Sequence, residues 1–207
     1  MSPPLPPTRP GFDLSPAGSP IVVELFLDLI CPYSARMFAT LHASVLGQFG
    51  DRVSFVLHQV PQPWHPQGSY LHEAALCVRA ACPAKYAAFF LSVCAAFDQF
   101  SDAATLDQSR AQIYAEILRL AAETLSEPEV AQVKSMLGLA GAGNSGNQAT
   151  QLMKWAVKHH RTRGVHVTPT VFVNGLEAGI VSSGWTGEHW VQWLAPLGAD
   201  GWQGSLL

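Results

Sequence analysis

Charge is scarce in this 207-residue chain: Asp, Glu, Lys and Arg together supply only 13% of it, about half the usual share. Hydrophobic residues supply 48%, enough for a sizeable core, which excludes disorder along the whole length. Positive charge is not in excess. The net charge is −3, so no basic field draws the chain to nucleic acid or to anionic lipid. No apolar run approaches the ~18 residues that a membrane span needs, and no membrane partner is expected. The first twenty residues, MSPPLPPTRPGFDLSPAGSP, lack the apolar stretch of a secretory signal, and seven of them are proline. They read as a disordered or polyproline-like tail over residues 1–20. A cytoplasmic location is the expectation, and thiols there stay reduced. The four cysteines, Cys31, Cys77, Cys82 and Cys94, are therefore read as core fillers, metal ligands or reactive thiols rather than as two structural disulfides.

What is present has an order. Residues 21–30 (IVVELFLDLI) form a nearly unbroken apolar run, the pattern of a strand buried on both faces. Cys31-Pro32-Tyr33-Ser34 follows at once. Residues 35–49 then carry a helical stripe of Phe38, Leu41, Val45 and Phe49, and Pro32 suits the first helical turn, where no N–H is needed. Residues 52–60 alternate and read as a second strand, so the opening is a right-handed parallel βαβ unit. A proline-rich loop occupies residues 61–68. Helical patterns fill residues 71–81, 84–97, 107–125, 127–139 and 148–163, with a glycine-rich break at 141–146. Strand character returns at residues 169–173. The Asn174-Gly175 pair signals a hairpin turn, residues 176–181 a return strand, and residues 186–197 a closing helix.

The fold class is therefore α/β: βαβ, a block of helices, then ββα. The two strand-bearing pieces are each too small to stand alone. They are expected to share one sheet, as a domain made of residues 21–66 plus 164–207, with residues 67–163 as an inserted all-helical domain.

The chemistry centres on Cys31. It sits where a buried strand meets a helix, and a helix N-terminus offers unpaired N–H groups and a partial positive charge. Both favour the thiolate, the form that attacks disulfides and binds metals. Ser34 lies one helical turn on. Its hydroxyl is placed to hydrogen-bond the sulfur, but it cannot form a disulfide.

Two motifs carry a resemblance. Phe26-x-Asp28-x-x-Cys31-Pro32-Tyr33-Ser34 and Gly164-Val165-x-x-Thr168-Pro169-Thr170-x-Phe172-Val173-Asn174-Gly175 resemble the DsbA-like branch of the thioredoxin superfamily, and the helical block between them resembles that branch's insertion. The likeness spans roughly residues 21–200. It implies a thioredoxin fold, with Cys31 as the attacking thiol. It also implies that Thr168-Pro169 is a cis-proline loop beside that thiol, offering backbone hydrogen bonds to a bound peptide or thiol. Two departures stand out. The family's resolving cysteine is here Ser34, so no disulfide can close inside the motif. The family's buried glutamate six residues before the cysteine is here Leu25. The nearest acid, Glu24, is one residue off, which in a strand is the opposite face. Proton transfer would then recruit Asp28, His65 or water.

Parallel strands end at the same sheet edge, so the loop at residues 61–66 is expected on the Cys31 side. Trp64 is read there as a stacking wall or a loop anchor, and His65 as a hydrogen-bonding partner of substrate or thiolate, or as a solvated side chain. Tyr33 and Pro32 flank the thiol. Cys94 reads as core. Cys77 and Cys82 cannot bridge each other on one helix, and Cys82 is weighed as a distant resolving thiol. No Cys/His spacing matches a zinc site, and adjacent His159 and His160 point to different helix faces, so no metal is expected.

The sequence thus predicts a monothiol thiol–disulfide oxidoreductase. It binds no cofactor, and glutathione is the co-substrate and resolving thiol. Its substrate is a thiol or disulfide on glutathione, a peptide or a protein. Two other readings stand beside it. One is a glutathione-dependent transferase or isomerase, since kappa-class transferases are similar and often carry Ser-Pro-Tyr-Ser at this helix start. The other is a non-catalytic thioredoxin-fold peptide-binding protein.

Overall fold

The computed structural model describes residues 5–15 and 18–197. Residues 1–4 and 16–17 of the expected tail, and 198–207 of the expected C-terminal piece, lie outside them. Five strands form one sheet in the order β1-β3-β2-β4-β5. They are β1 (Phe12–Asp13), β2 (Val22–Leu27), β3 (Ser54–Gln59), β4 (Thr170–Val173) and β5 (Leu176–Glu177). The pair β2·β3 is parallel, and all other pairs are antiparallel. Between β2 and β3 run α1 (Pro32–Ser44) and α2 (Leu46–Phe49). Between β3 and β4 come α3 (Gly68–Ala81), α4 (Tyr86–Ala95), α5 (Asp102–Thr105), α6 (Arg110–Ala121), α7 (Glu127–Leu137) and α8 (Thr150–Thr162). Helix α9 (Gly187–Leu194) closes the described chain. This is a thioredoxin-like α/β fold carrying a helical insertion.

The central strand β2 shows why the sheet is buried on both faces. Val23, Leu25 and Leu27 point into the main core together with Phe38 of α1, Phe89 and Phe90 of α4, Ile117 of α6 and Trp190 of α9. Phe26 points the other way, into a smaller cluster with Val60, Val165 and Phe172. The insertion and the sheet therefore share one continuous main core.

Four elements differ from the sequence reading. The expected tail is not wholly unstructured. Phe12 pairs with Leu57 and Asp13 with Val56, the Leu14 N–H donates to Phe55 O at 2.8 Å, and the Phe12 ring lies 4.5 Å from that of Tyr86. Two residues are too few for any hydrophobic period, and the surrounding prolines mask the strand. The helix expected through residue 49 starts with Pro32 in its first turn, as read, but breaks at Val45 (φ −122°) into α1 and α2. Helix α6 begins at Arg110 because Ser109 caps it in a capping box with Gln112. The return strand is only Leu176–Glu177, since the chain turns away after Ala178, where the Val181 N–H donates to Ala178 O. The hairpin turn itself has φ of 47° at Asn174 and 88° at Gly175, as Asn-Gly turns require.

Gly11 holds β1 in place. Its φ is +95°, and a Cβ there would lie 2.5 Å from Val56 Cγ1 and 2.6 Å from His58 Cε1. Gly11→Ala is expected to cost about 1–3 kcal/mol, from a strained φ and an overpacked contact, read as a lower urea midpoint. An unchanged midpoint would show that β1 is not docked through this residue.

Candidate functional site

Strand β2 ends at Leu27, and four residues, 28–31, separate it from α1. Cys31 is the N-cap of that helix, in an extended conformation (φ −81°, ψ 119°), with proline at the start of the helix. Its N–H donates to Asp28 O at 3.3 Å, and its C=O accepts the Ala35 N–H at 3.0 Å. The register of β2 against β4 sets Phe26 opposite Thr170, which brings the segment before β4 alongside the turn after β2. The Thr168–Pro169 bond in that segment is cis. The Cys31 thiol donates to Thr168 O at 3.4 Å. Antiparallel pairing, and not nearness in sequence, thus assembles the thiol and the proline loop.

Ser34 takes a different part from the one expected. Its side chain is fully buried, and its Oγ accepts the Asp28 N–H at 3.2 Å. The hydroxyl fastens the turn that precedes Cys31 and is not a described partner of the sulfur. Pro32 and Tyr33 are exposed, with Tyr33 at 55% and Val167, beside the cis bond, at 63%. These side chains give the buried thiol an apolar rim. The Arg36 guanidinium lies 5.7 Å from the Tyr33 ring centre.

The loop after β3 lies on the Cys31 side. At its end, a Cβ on Gly68 would sit 3.2 Å from Ile30 Cγ2 and 3.8 Å from Asp28 Oδ1. Trp64 is 57% exposed, so it does not anchor the loop in the core. His65 Nδ1 is 3.7 Å from Asp102 Oδ1, too long for a hydrogen bond. Nothing described joins Trp64 or His65 to the sulfur. Instead Trp64, Pro66, Gln67, Tyr70, Asp102 and Leu106 help line an open groove of about 470 Å³. Gln67 fixes its floor by donating to Phe100 O (2.9 Å) and Asp102 Oδ1 (2.8 Å).

Beneath Cys31 runs a buried polar chain that the sequence only half reveals. Asp28 and His72 are fully buried, and His72 Nε2 meets Asp28 Oδ1 at 2.9 Å. His72 Nδ1 meets Gln59 Oε1 at 3.0 Å, and Gln59 Nε2 donates to the Tyr86 hydroxyl at 2.8 Å. Asp28 Oδ1 also accepts the Ile30 N–H at 3.3 Å. The sequence offers Asp28 as a proton-transfer group but does not show its partner His72. The available signal was a histidine inside the otherwise apolar stripe of α3.

Glu24 is on the opposite face from Leu25, as the register without a bulge requires. It accepts Arg163 Nη1 and Nη2 at 3.0 and 2.9 Å, and His58 Nε2 lies 3.2 Å away. Burial pushes the Glu24 carboxyl up, but hydrogen bonds and charge from His58 and Arg163 outweigh it and hold it at about 2. Burial lowers His58 despite the upward pull of Glu24. Burial, aided by His58, brings His159 down to about 4. This group is not engaged with Cys31.

The remaining cysteines are placed against catalysis. All four are free. Burial pushes Cys77 and Cys94 up to about 12. For Cys94 the charges of Asp28 and Cys31 add to that push, a closeness to the site that the sequence does not reveal. Burial and Glu129 also raise Cys82. Cys82 caps the C-terminal end of α3, whereas the N-terminal end abuts Ile30. A helix of this length spans about 20 Å, far beyond the ~7 Å at which two cysteines can bridge. Cys82 is therefore no resolving thiol for Cys31 in this fold.

A family model described as thioredoxin matches residues 17–185. Among curated proteins none matches significantly. Among solved structures, one from Pseudomonas syringae, provisionally described as a protein-disulfide isomerase, is 26% identical. It covers 85% of this chain and 94% of its own, with a TM-score of 0.64. MdbA, a thiol-disulfide oxidoreductase from Actinomyces oris, is 20% identical over 78% of this chain and 74% of its own, TM-score 0.60. DsbA from Chlamydia trachomatis is 14% identical over 95% and 96%, TM-score 0.62. The last two likenesses are of fold.

Proposed function

Because the chain belongs to the thioredoxin family, matched over residues 17–185, we propose that it is a thiol–disulfide oxidoreductase working through the single nucleophile Cys31, with glutathione as the resolving thiol. The observation that carries this reading is a thiol at a helix N-terminus, 3.4 Å from the carbonyl before a cis-proline, with serine where a second thiol would stand. In the first step the Cys31 thiolate attacks the glutathione sulfur of a protein–glutathione mixed disulfide. That S–S bond breaks, Cys31–glutathione forms, and the leaving protein thiolate takes a proton from solvent. A second glutathione thiolate then attacks the glutathione sulfur held on Cys31. Oxidised glutathione leaves and the Cys31 thiolate is restored.

The apolar rim of Tyr33 and Val167, with the groove beside Trp64, suits a peptide or protein carrying the disulfide. The proposal places the reaction in the cytoplasm, where the reducing glutathione pool supplies the second thiol.

Ser34→Cys tests the monothiol part. The pre-reduced variant is expected to reduce one protein disulfide per chain without glutathione, closing an internal 31–34 disulfide as the two substrate thiols are released. The wild type should turn over only when glutathione is present. Equal release of substrate thiols by both pre-reduced proteins without glutathione would sink the monothiol reading. Conjugation of an electrophile to glutathione that survives Cys31→Ala would favour a transferase instead.

A further inference from the structure

Away from Cys31, three side chains from separate elements converge: Glu24 on β2, His58 on β3 and His159 on α8. Their ligand atoms all lie within 4.8 Å of one another. We propose that Glu24, His58 and His159 bind one divalent transition-metal ion, with Zn²⁺ as the best match to two imidazoles and a carboxylate.

The geometry supports this at four points. First, His58 Nε2 and Glu24 Oε1 are 3.2 Å apart, close to the ~3.3 Å edge of a tetrahedron with ligand bonds of about 2.0–2.1 Å. His159 needs to close by at most about 1.5 Å to complete that face. Second, the Nε2 atom of His159 is buried without a hydrogen-bond partner. Buried polar atoms seldom stay unpaired without a reason, and the His58 side chain is only 5% exposed. Third, the rings are oriented. His58 stacks on Phe26 at 4.5 Å between centroids and His159 at 5.7 Å, and the two imidazoles are 4.6 Å apart. Arg163 fixes the Glu24 carboxylate through both oxygens, the kind of outer support that ligating carboxylates have. Each carboxylate oxygen keeps a lone-pair direction for a metal. Fourth, the cluster borders a cavity of about 100 Å³. Both histidines line it, and residues 6–11 form its other wall. A fourth, water-filled position can open there, as in sites with three protein ligands.

An ion held here would tie α8 to β2 and β3, independently of the thiol chemistry. The spacing rules that exclude a zinc motif in the sequence do not apply, since each ligand comes from a different element.

The test is titration of the full-length, chelator-stripped protein with Zn²⁺ by calorimetry and with Co²⁺ by absorption. The expected result is one ion per chain, cobalt d–d bands without a thiolate charge-transfer band, and a rise in Tm with Zn²⁺. His159→Gln, at a half-buried position, should weaken binding about 100-fold or more and abolish the Tm rise. Glu24→Gln, which preserves volume, serves as the second variant and should also lose binding. Cys31→Ser should bind as the wild type does. No binding, affinity unchanged in His159→Gln and Glu24→Gln, or cobalt spectra showing sulfur ligation would each overturn the proposal.

Discussion

Cys31→Ser is expected to lower thiol–disulfide exchange by on the order of 10³-fold or more, with little change in stability. A hydroxyl is not ionised near neutral pH and forms no S–S bond, so removing the nucleophile removes the pathway. No other thiol can replace it. Cys77 is fully buried and pushed up to about 12, as is buried Cys94, and Cys82 lies at the far end of α3. A serine hydroxyl can still donate to Thr168 O in place of the thiol, so the fold should lose less than about 1 kcal/mol. Steady-state assay with a glutathionylated peptide, alongside urea denaturation, separates the two effects. Retention of more than a tenth of the activity would remove Cys31 from the reaction.

The second large effect is on stability. Asp28→Ala should cost about 3–5 kcal/mol, the range for breaking a buried pair by deleting one partner. Both Asp28 and His72 are fully buried, and their 2.9 Å contact is part of a chain running through Gln59 to Tyr86. Deletion leaves the Ile30 N–H unpaired in the interior and strips His72 Nε2 of its 2.9 Å partner, each with a desolvation cost. Asp28→Asn keeps the shape and part of the bonding and should cost less. Equilibrium urea unfolding at constant slope reads the difference. A loss under 1 kcal/mol for the alanine variant would mean that water or a local rearrangement satisfies the chain. Because the Asp28 carboxylate also holds the turn before Cys31 through the Ile30 N–H, the alanine variant should also slow exchange at Cys31.

Much of this architecture was legible because its signals are local. The β-branched and aromatic run of β2, the proline opening α1 and the Asn-Gly turn are each written in a few adjacent residues. The siting of the loop at residues 61–66 near Cys31 followed from parallel strand geometry alone. Other features are not local. Strand β1 is two residues long and has no period to detect. Whether the Ser34 hydroxyl faces sulfur or backbone depends on how the turn after β2 closes. Glu24, His58 and His159 belong to three elements far apart in sequence, so their convergence is a property of sheet register and helix packing. His72 could have been flagged as a polar residue on an apolar stripe, but its partner depends on where α3 starts against Ile30.

The most direct test of the central claim is peptide-mapping mass spectrometry of the reduced protein after incubation with oxidised glutathione. A single glutathione adduct on Cys31, released on adding reduced glutathione and absent from Cys77, Cys82 and Cys94, is the predicted result. An unmodified Cys31, or an adduct carried by another cysteine, would contradict the account.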